Sequence, residues 1–243
     1  MAVIDVFKTG EKSMVQERHF DDELSKLNEN ILKMAALTES AIYRSIEALK
    51  NRDKELAQLV LNDDNQIDEL ENIIEEHAID LLALFQPMAR DLRFITTGMR
   101  IASELERIAD LSVNISQRVV DIAGQPLLKP LVDIPKLADN AIMMVRGAID
   151  AFVKKDERLA RDVILSDQKS DQLRNLITAE LINEFMVKDG KTAPKAVPLL
   201  LITRDLERIS DHATNIAEDV IYMVRAKVVK HHLKELKEII KDK

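Results

Sequence analysis

The feature that most constrains this 243-residue chain is the spacing of its apolar residues, which recur in alternating steps of three and four. In the first predicted helix this seam consists of Leu24, Leu27, Ile31, Met34, Thr38, Ala41, Ser45 and Leu49. A period near 3.5 residues is typical of helices that pack lengthwise in bundles. Only 3% of the residues are aromatic, so aliphatic side chains must fill the core. The sequence therefore predicts an all-α fold.

Polar breaks divide the first part of the chain into three predicted helices. The first ends near Lys50, and the second runs as a single helix from a cap at Asp53 to about Phe85. The third begins with Pro87 in its first turn, where proline is tolerated, and ends at Gly124. These helices are expected to form one three-helix bundle.

The same pattern starts again after a proline-dense segment at 124–135. Residues 151–160 resemble residues 48–57 at an offset of 103, and residues 206–211 resemble residues 105–110 at an offset of 101. The two lost residues belong in a loop, and the turn at Asp189-Gly190 supplies one. The chain is therefore predicted to be two tandem three-helix bundles related by an internal repeat.

The repeat sets the expected domain organisation. An N-terminal extension covers 1–19, the first bundle 20–124, a linker 125–135 and the second bundle 136–243. The second bundle ends in a basic tail, since 225–243 holds seven Lys or Arg against three acids. This tail either complements the dipole at a helix C-terminus or contacts an acidic partner or membrane surface.

Each half also carries two stripes of polar, mostly acidic side chains, one on its second and one on its third predicted helix. A spacing of four residues places such side chains on one face of a helix. The members are Asp64, Asp68, Glu106, Asp110 and Asn114 in the first half, and Asp167, Asp171, Glu207, Asp211 and Asn215 in the second.

Counting from the turns predicts that the two stripes of each half lie level. Residues on the arms of an antiparallel hairpin are level when they are equidistant from the turn. The pairs Asp68–Glu106 and Asp64–Asp110 share a midpoint at position 87, and the corresponding pairs of the second half share one at 189. Both midpoints fall in predicted turns, provided that the helices stay regular up to them.

Stacked acidic stripes require neutralisation, because each like-charged pair at this spacing costs a helix about 0.2–0.5 kcal/mol. Arg107 and Arg208 are candidates, but each adjoins its glutamate and projects roughly 100° away around the helix. Carboxylate and amide oxygens suit hard or borderline cations such as Mg, Mn or Fe. We therefore predict a metal site in each half. The alternative is a metal-free helical interaction module whose stripes are solvated faces.

Two histidines lie close to these stripes in the sequence. His77 occupies a seam position, which favours a buried, hydrogen-bonded histidine over a metal ligand. His212 follows Asp211 and has Leu111 as its repeat counterpart, so any role at a metal site would be confined to the second half.

Several functional classes are disfavoured. A net charge of −8 and the lack of a basic stripe with interleaved aromatics argue against nucleic-acid binding. The sequence has no long apolar run and no cysteine, so we expect a cytoplasmic protein that meets membranes only through partners. A carboxylate-bundle metalloenzyme is a further alternative, but the Glu-x-x-His signature of such sites is missing. No catalytic motif is evident, and no enzymatic activity is expected.

The segment from Gln86 to Arg93, followed by Glu106–Asp110 and Glu207–Asp211, resembles the PhoU family over nearly the whole chain. The resemblance implies multinuclear metal clusters on Glu/Asp-x-x-x-Asp motifs, with Fe, Mn, Mg or Zn as the ion. It also implies a homodimeric negative regulator of phosphate uptake and phosphate-starvation signalling. Such a regulator links the ATPase of the phosphate ABC transporter to a sensor histidine kinase. The Pro-x-Ala-x-Asp-Leu-Arg segment occurs only in the first half, so the halves need not be equivalent.

Overall fold

The computed structural model describes the backbone of residues 2–227 and the side chains of residues 18–227. All regular structure in this part of the chain is helical, as predicted. A π-helix, Leu181–Met186, and a 3₁₀ turn, Gly190–Thr192, lie between the last two α-helices. The α-helices are α1 (Ala2–Asn51), α2 (Lys54–Asp63), α3 (Asn65–Phe85), α4 (Ala89–Ile122), α5 (Asp133–Lys154), α6 (Glu157–Glu180) and α7 (Ala193–Arg225).

The helices form two three-helix bundles, which confirms the predicted fold. In the first half α1 packs on α3 and α4, with α2 and α3 together acting as the second helix. In the second half α5, α6 and α7 pack against one another. The halves meet through α4 against α7 and α1 against α5, so their cores join into one apolar cluster.

The predicted seam of α1 is buried. The seam residues between Leu27 and Leu49, two of which are polar, are each 5% exposed or less. Thr38 donates its hydroxyl to the Met34 carbonyl at 3.0 Å, and Ser45 donates to the Ile42 carbonyl at 2.8 Å. Because these hydroxyls are satisfied within the helix itself, the seam accommodates them without an unpaired buried donor.

The repeated junctions confirm the duplication at atomic detail. Arg52 and Lys155 both adopt a left-handed conformation, with φ of 55° and 51°. The next residue caps the following helix in each half. Asp53 accepts from the Leu56 amide at 2.8 Å, and Asp156 accepts from the Arg158 amide at 2.7 Å. A side-chain oxygen at this position satisfies one of the free amides of a helix N-terminus.

Several helix ends differ from the predicted ones. α1 begins at Ala2 rather than near Leu24, so the segment 2–19 is helical as well. Pro87 lies before α4 and not in its first turn. The chain leaves α3 through the left-handed residue Gln86, and Met88, the residue before α4, is extended. The connection between the halves spans 123–132, and Pro135 falls in the first turn of α5, where its missing N–H costs nothing.

The second helix of each half departs from regularity. In the first half it is interrupted at Asp64, within four consecutive short polar residues, 62–65, that compete with the helical backbone. In the second half the π-helix interrupts the run towards the turn. The count from the turns assumes that each helix is regular up to its turn. The helix is regular from Asn65 to Phe85 in the first half, but the π-helix interrupts it between Asp171 and the second turn.

Most of the basic tail, residues 228–243, lies outside the described residues. Among the helices that the structure describes, none is both long and apolar enough to cross a membrane.

Candidate metal centres

The structure brings the two acidic stripes of the first half together along α3 and α4. Asp64 lies close enough to Asp68 and Asp110 for their charges to interact, and Glu106 interacts with Asp110 and Asp68. Glu71, one turn after Asp68, joins the same group through its interaction with Glu106. We call these five carboxylates the first cluster.

The first cluster is held at an electrostatic cost. Burial, followed by repulsion from Asp68 and Asp110, raises the pKa of Asp64 to about 6. Burial, followed by repulsion from Asp110, raises the pKa of Glu106 to about 7, and Arg107 offsets this only weakly. Burial also raises the pKa of Glu71. Near neutral pH a cation beside these groups would favour their charged forms.

The second cluster, on α6 and α7, holds the predicted carboxylates Asp167, Asp171, Glu207 and Asp211 together with Arg174. The Arg174 Nη2 atom lies 2.8 Å from an Asp171 oxygen and 3.3 Å from a Glu207 oxygen. Burial and then repulsion from Asp211 still raise the pKa of Asp167 to about 6. Arg174 thus bridges the two stripes with an internal positive charge.

Arg174 and Glu71 occupy equivalent positions, since they are related by the same offset of 103 as Asp171 and Asp68. Neither residue was among the candidates from the sequence, where only the arginines next to the glutamates were weighed. Those two, Arg107 and Arg208, are exposed. Aligning the two repeats position by position would have exposed the exchange of a glutamate for an arginine.

The two predicted asparagines are placed differently from the carboxylates. Asn114 is exposed on α4. Asn215 donates from Nδ2 to a Glu104 oxygen at 3.2 Å, across the boundary between α7 and α4. Its amide nitrogen is therefore engaged in the contact between the halves, which leaves only its oxygen for an ion.

The histidines also pair with carboxylates. His212 is 9% exposed, and its Nδ1 lies 2.6 Å from a Glu104 oxygen, so the ring faces the first half. His77 is hydrogen-bonded as predicted, with its Nε2 2.9 Å from a Glu23 oxygen, but it is half-buried rather than buried. Both rings are oriented by a neighbouring helix.

The donor chemistry of the clusters fits a hard divalent cation to different degrees. Within residues 18–227, no three Asp, Glu or His side chains are arranged as a preformed metal site. In the first cluster five carboxylates converge, Glu71 also accepts a hydrogen bond from Ser103, and no described ion pair involves any of the five. These carboxylate oxygens are of the donor type that a hard divalent cation takes. In the second cluster a cation must compete with the guanidinium of Arg174 for Asp171 and Glu207.

The comparison with known proteins agrees with the duplication seen in the fold. A family model described as the PhoU domain matches residues 31–119 and again residues 134–220. The chain is 39% identical to the phosphate-specific transport system accessory protein PhoU homolog of Aquifex aeolicus, over 88% of this chain and 96% of that protein. It is 37% identical to the homolog of Rhizobium meliloti, over 84% of this chain and 86% of the relative.

Two solved structures share the architecture. The crystal structure of PhoU from Pseudomonas aeruginosa superposes with a TM-score of 0.82 at 33% identity, covering 86% of this chain and all (100%) of that one. The phosphate transport system regulatory protein PhoU from Streptococcus pneumoniae gives a TM-score of 0.81 at 28% identity, covering 87% of this chain and 99% of that one.

Proposed function

The chain belongs to the PhoU family, and on that premise we propose that it is a negative regulator of phosphate uptake and of phosphate-starvation signalling. In this role it contacts the ATPase of the phosphate ABC transporter and a sensor histidine kinase, and it keeps the kinase from activating its response when phosphate is plentiful. The observation that carries the proposal is the match of both halves to the PhoU domain. Relatives that align over most of the chain are named accessory proteins of phosphate transport, which supports it.

We further propose that the protein acts by binding and not by catalysis, as a cytoplasmic homodimer. Its family is one of accessory proteins of transport. Two linked bundles offer extended helical faces on which two partners can dock at once. Light scattering at micromolar concentration tests the assembly, and a mass equal to one chain would contradict the dimer.

We also propose that each half binds metal, either as a single divalent ion or as a multinuclear cluster, with Fe, Mn, Mg or Zn as the metal. Asp64, Asp68, Glu106 and Asp110 would hold the ion of the first half, and Asp167, Asp171, Glu207 and Asp211 that of the second. A bound cation supplies positive charge that lets crowded carboxylates stay ionised. The protein's own contribution is to hold two helices at the height and separation that present the stripes to each other.

Deleting the gene tests the regulatory role. We expect phosphate-starvation genes to be expressed even in high phosphate, and we expect a plasmid copy of the protein to restore repression. Normal repression in the deletion strain would contradict the proposal. Co-purification with the transporter ATPase and with the kinase, each tested separately, distinguishes a bridge from a regulator with a single partner.

A further inference from the structure

A cleft with three cationic side chains lies where the two halves meet, away from both acidic clusters. It is formed by the first turns of α4, the turn between α5 and α6, and the end of α7. Its lining residues are Arg90, Arg93, Phe94, Lys155, Met223 and Val224. No carboxylate lines it.

Two of the cations are held in place by contacts that leave their charge available. The Nε of Arg93 donates to the Met223 carbonyl at 3.0 Å, which fixes the plane of the guanidinium. The Nζ of Lys155 lies 4.9 Å from the centre of the Phe94 ring, a cation–π contact. Phe94 is itself stacked on Phe152, with the ring centres 5.0 Å apart.

Neighbouring acids do not neutralise this group. In the described part of the chain, neither Arg90, Arg93 nor Lys155 forms an ion pair. Glu157, two residues after Lys155 in the sequence, is already shared by Arg161 and Arg225. Three like charges in one concavity repel one another unless an anion enters.

The internal repeat provides a control within the molecule. The equivalent cleft of the first half is lined by Arg52, the counterpart of Lys155, and by Lys195 on α7. There linker residues 125–128 line part of the space, and Arg52 donates from Nε and Nη2 to the Ala123 carbonyl at 3.1 and 2.9 Å. The first-half cleft has a volume of about 20 Å³ and the cleft of Arg90, Arg93 and Lys155 about 180 Å³. Only the second exceeds by a wide margin the roughly 10–15 Å³ that one water needs.

We propose that the cleft of Arg90, Arg93 and Lys155 binds a small phosphate-type oxyanion. Guanidinium forks match tetrahedral oxyanions through paired hydrogen bonds, and an ammonium adds a point charge. Three cations suit a dianion better than a single carboxylate, and the N-terminus of α4 adds a partial positive charge beside Arg90. Free phosphate and the terminal group of a phosphate ester share this chemistry. The proposal does not depend on the regulatory role.

The test is calorimetric titration of the full chain, after chelator treatment so that metal-bound phosphate does not contribute. Inorganic phosphate is added at constant ionic strength to the wild type and to Arg90→Gln/Lys155→Gln, which alters two exposed side chains and spares the structural contact of Arg93. The control is Lys33→Gln/Lys169→Gln, which removes the same charge from exposed positions outside the cleft.

We expect saturable binding by the wild type and the control, weakened tenfold or more in the cleft variant. A hydrogen bond to a charged group is strong enough for a change of that size. Sulfate should compete and chloride should not, and phenyl phosphate in place of phosphate shows whether an ester is accepted. Absence of saturable binding by the wild type, equal binding by the cleft variant, or equal weakening in the control would each overturn the proposal.

Discussion

The two acidic clusters have the same origin and the same four carboxylate positions, yet they differ in how their charge is balanced. In the first, the fifth position is Glu71, and the pKa of Glu106 rises to about 7. In the second it is Arg174, which pairs with Asp171 and Glu207. One exchanged residue therefore separates a cluster without a cationic partner among its described ion pairs from one that carries its own cation.

The comparison matters because the helices that carry the clusters also join the halves. Arg118 of α4 pairs with the buried Asp205 of α7, and Arg100 pairs with Asp219 at 3.2 Å. In the proposed metal-bound state, a cation at either cluster would lie on a helix that also belongs to the boundary between the halves.

The largest expected effect comes from placing an arginine in the first cluster at the position that Arg174 occupies in the second. In Glu71→Arg, we expect the affinity of the first cluster for Mn²⁺ to fall at least tenfold, or about 1.4 kcal/mol. The guanidinium removes one carboxylate and competes for the others. Titration of the chelator-treated protein with Mn²⁺, followed by electron paramagnetic resonance, measures this. An unchanged affinity would show that Glu71 does not contribute to the site.

The reverse exchange should destabilise the protein when metal is absent. Arg174→Glu replaces two attractive contacts by repulsive ones, and we expect the free energy of unfolding in chelator to fall by about 1 kcal/mol, a modest value because Arg174 is partly exposed. Saturating Mn²⁺ should restore most of the loss. Arg174→Gln, which removes the charge without adding one, should lose less. Equal losses in both variants would mean that packing rather than charge is responsible.

Much of this arrangement could be predicted from the sequence, because helical periods and distances from a turn fix heights along a bundle. The seam of α1, the duplication and the similar height of Asp64 and Asp110 follow from counting, whereas the structure is needed to show that these two side chains face each other. The bridge by Arg174 does not, because a long flexible side chain three residues beyond Asp171 can turn to either side. The engagement of Asn215 with Glu104 was equally out of reach, since it depends on how the two halves dock.

The clusters also predict how stability depends on pH in chelator. The folded-state pKa values of Asp64 and Asp167, about 6, and of Glu106, about 7, lie above their usual values of 3.8 and 4.5. The folded state therefore binds more protons between about pH 4 and 7, and stability falls as pH rises through this window. After allowance for solvent screening we expect a loss on the order of 1 kcal/mol.

Urea unfolding at pH 5 and pH 7.5 measures this loss, with saturating Mn²⁺ at pH 7.5 as the control. The loss should be smaller in Glu71→Arg, whose first cluster has gained a positive charge. A loss of the same size in this variant would place its origin outside the first cluster.

The smallest expected effect compares one charge removed from each cluster. Asp110→Asn should raise stability in chelator by about 0.5 kcal/mol, because it relieves like-charge contacts with both helices. Asp211→Asn should raise it less, since Arg174 and His212 already offset the charge of Asp211. Thermal unfolding of both variants beside the wild type measures the two gains. A larger gain for Asp211→Asn would contradict the conclusion that the charge of Asp211 is the better offset of the two.

Anomalous diffraction from crystals grown with Mn²⁺ tests the central claim most directly, because it locates the ion without reference to activity. We predict a peak between α3 and α4 at Asp64, Asp68, Glu106 and Asp110, with a higher occupancy than any peak at the second cluster. No peak at the first cluster, or a stronger one beside Arg174, would contradict the claim that the first cluster is the better cation site because it lacks an arginine.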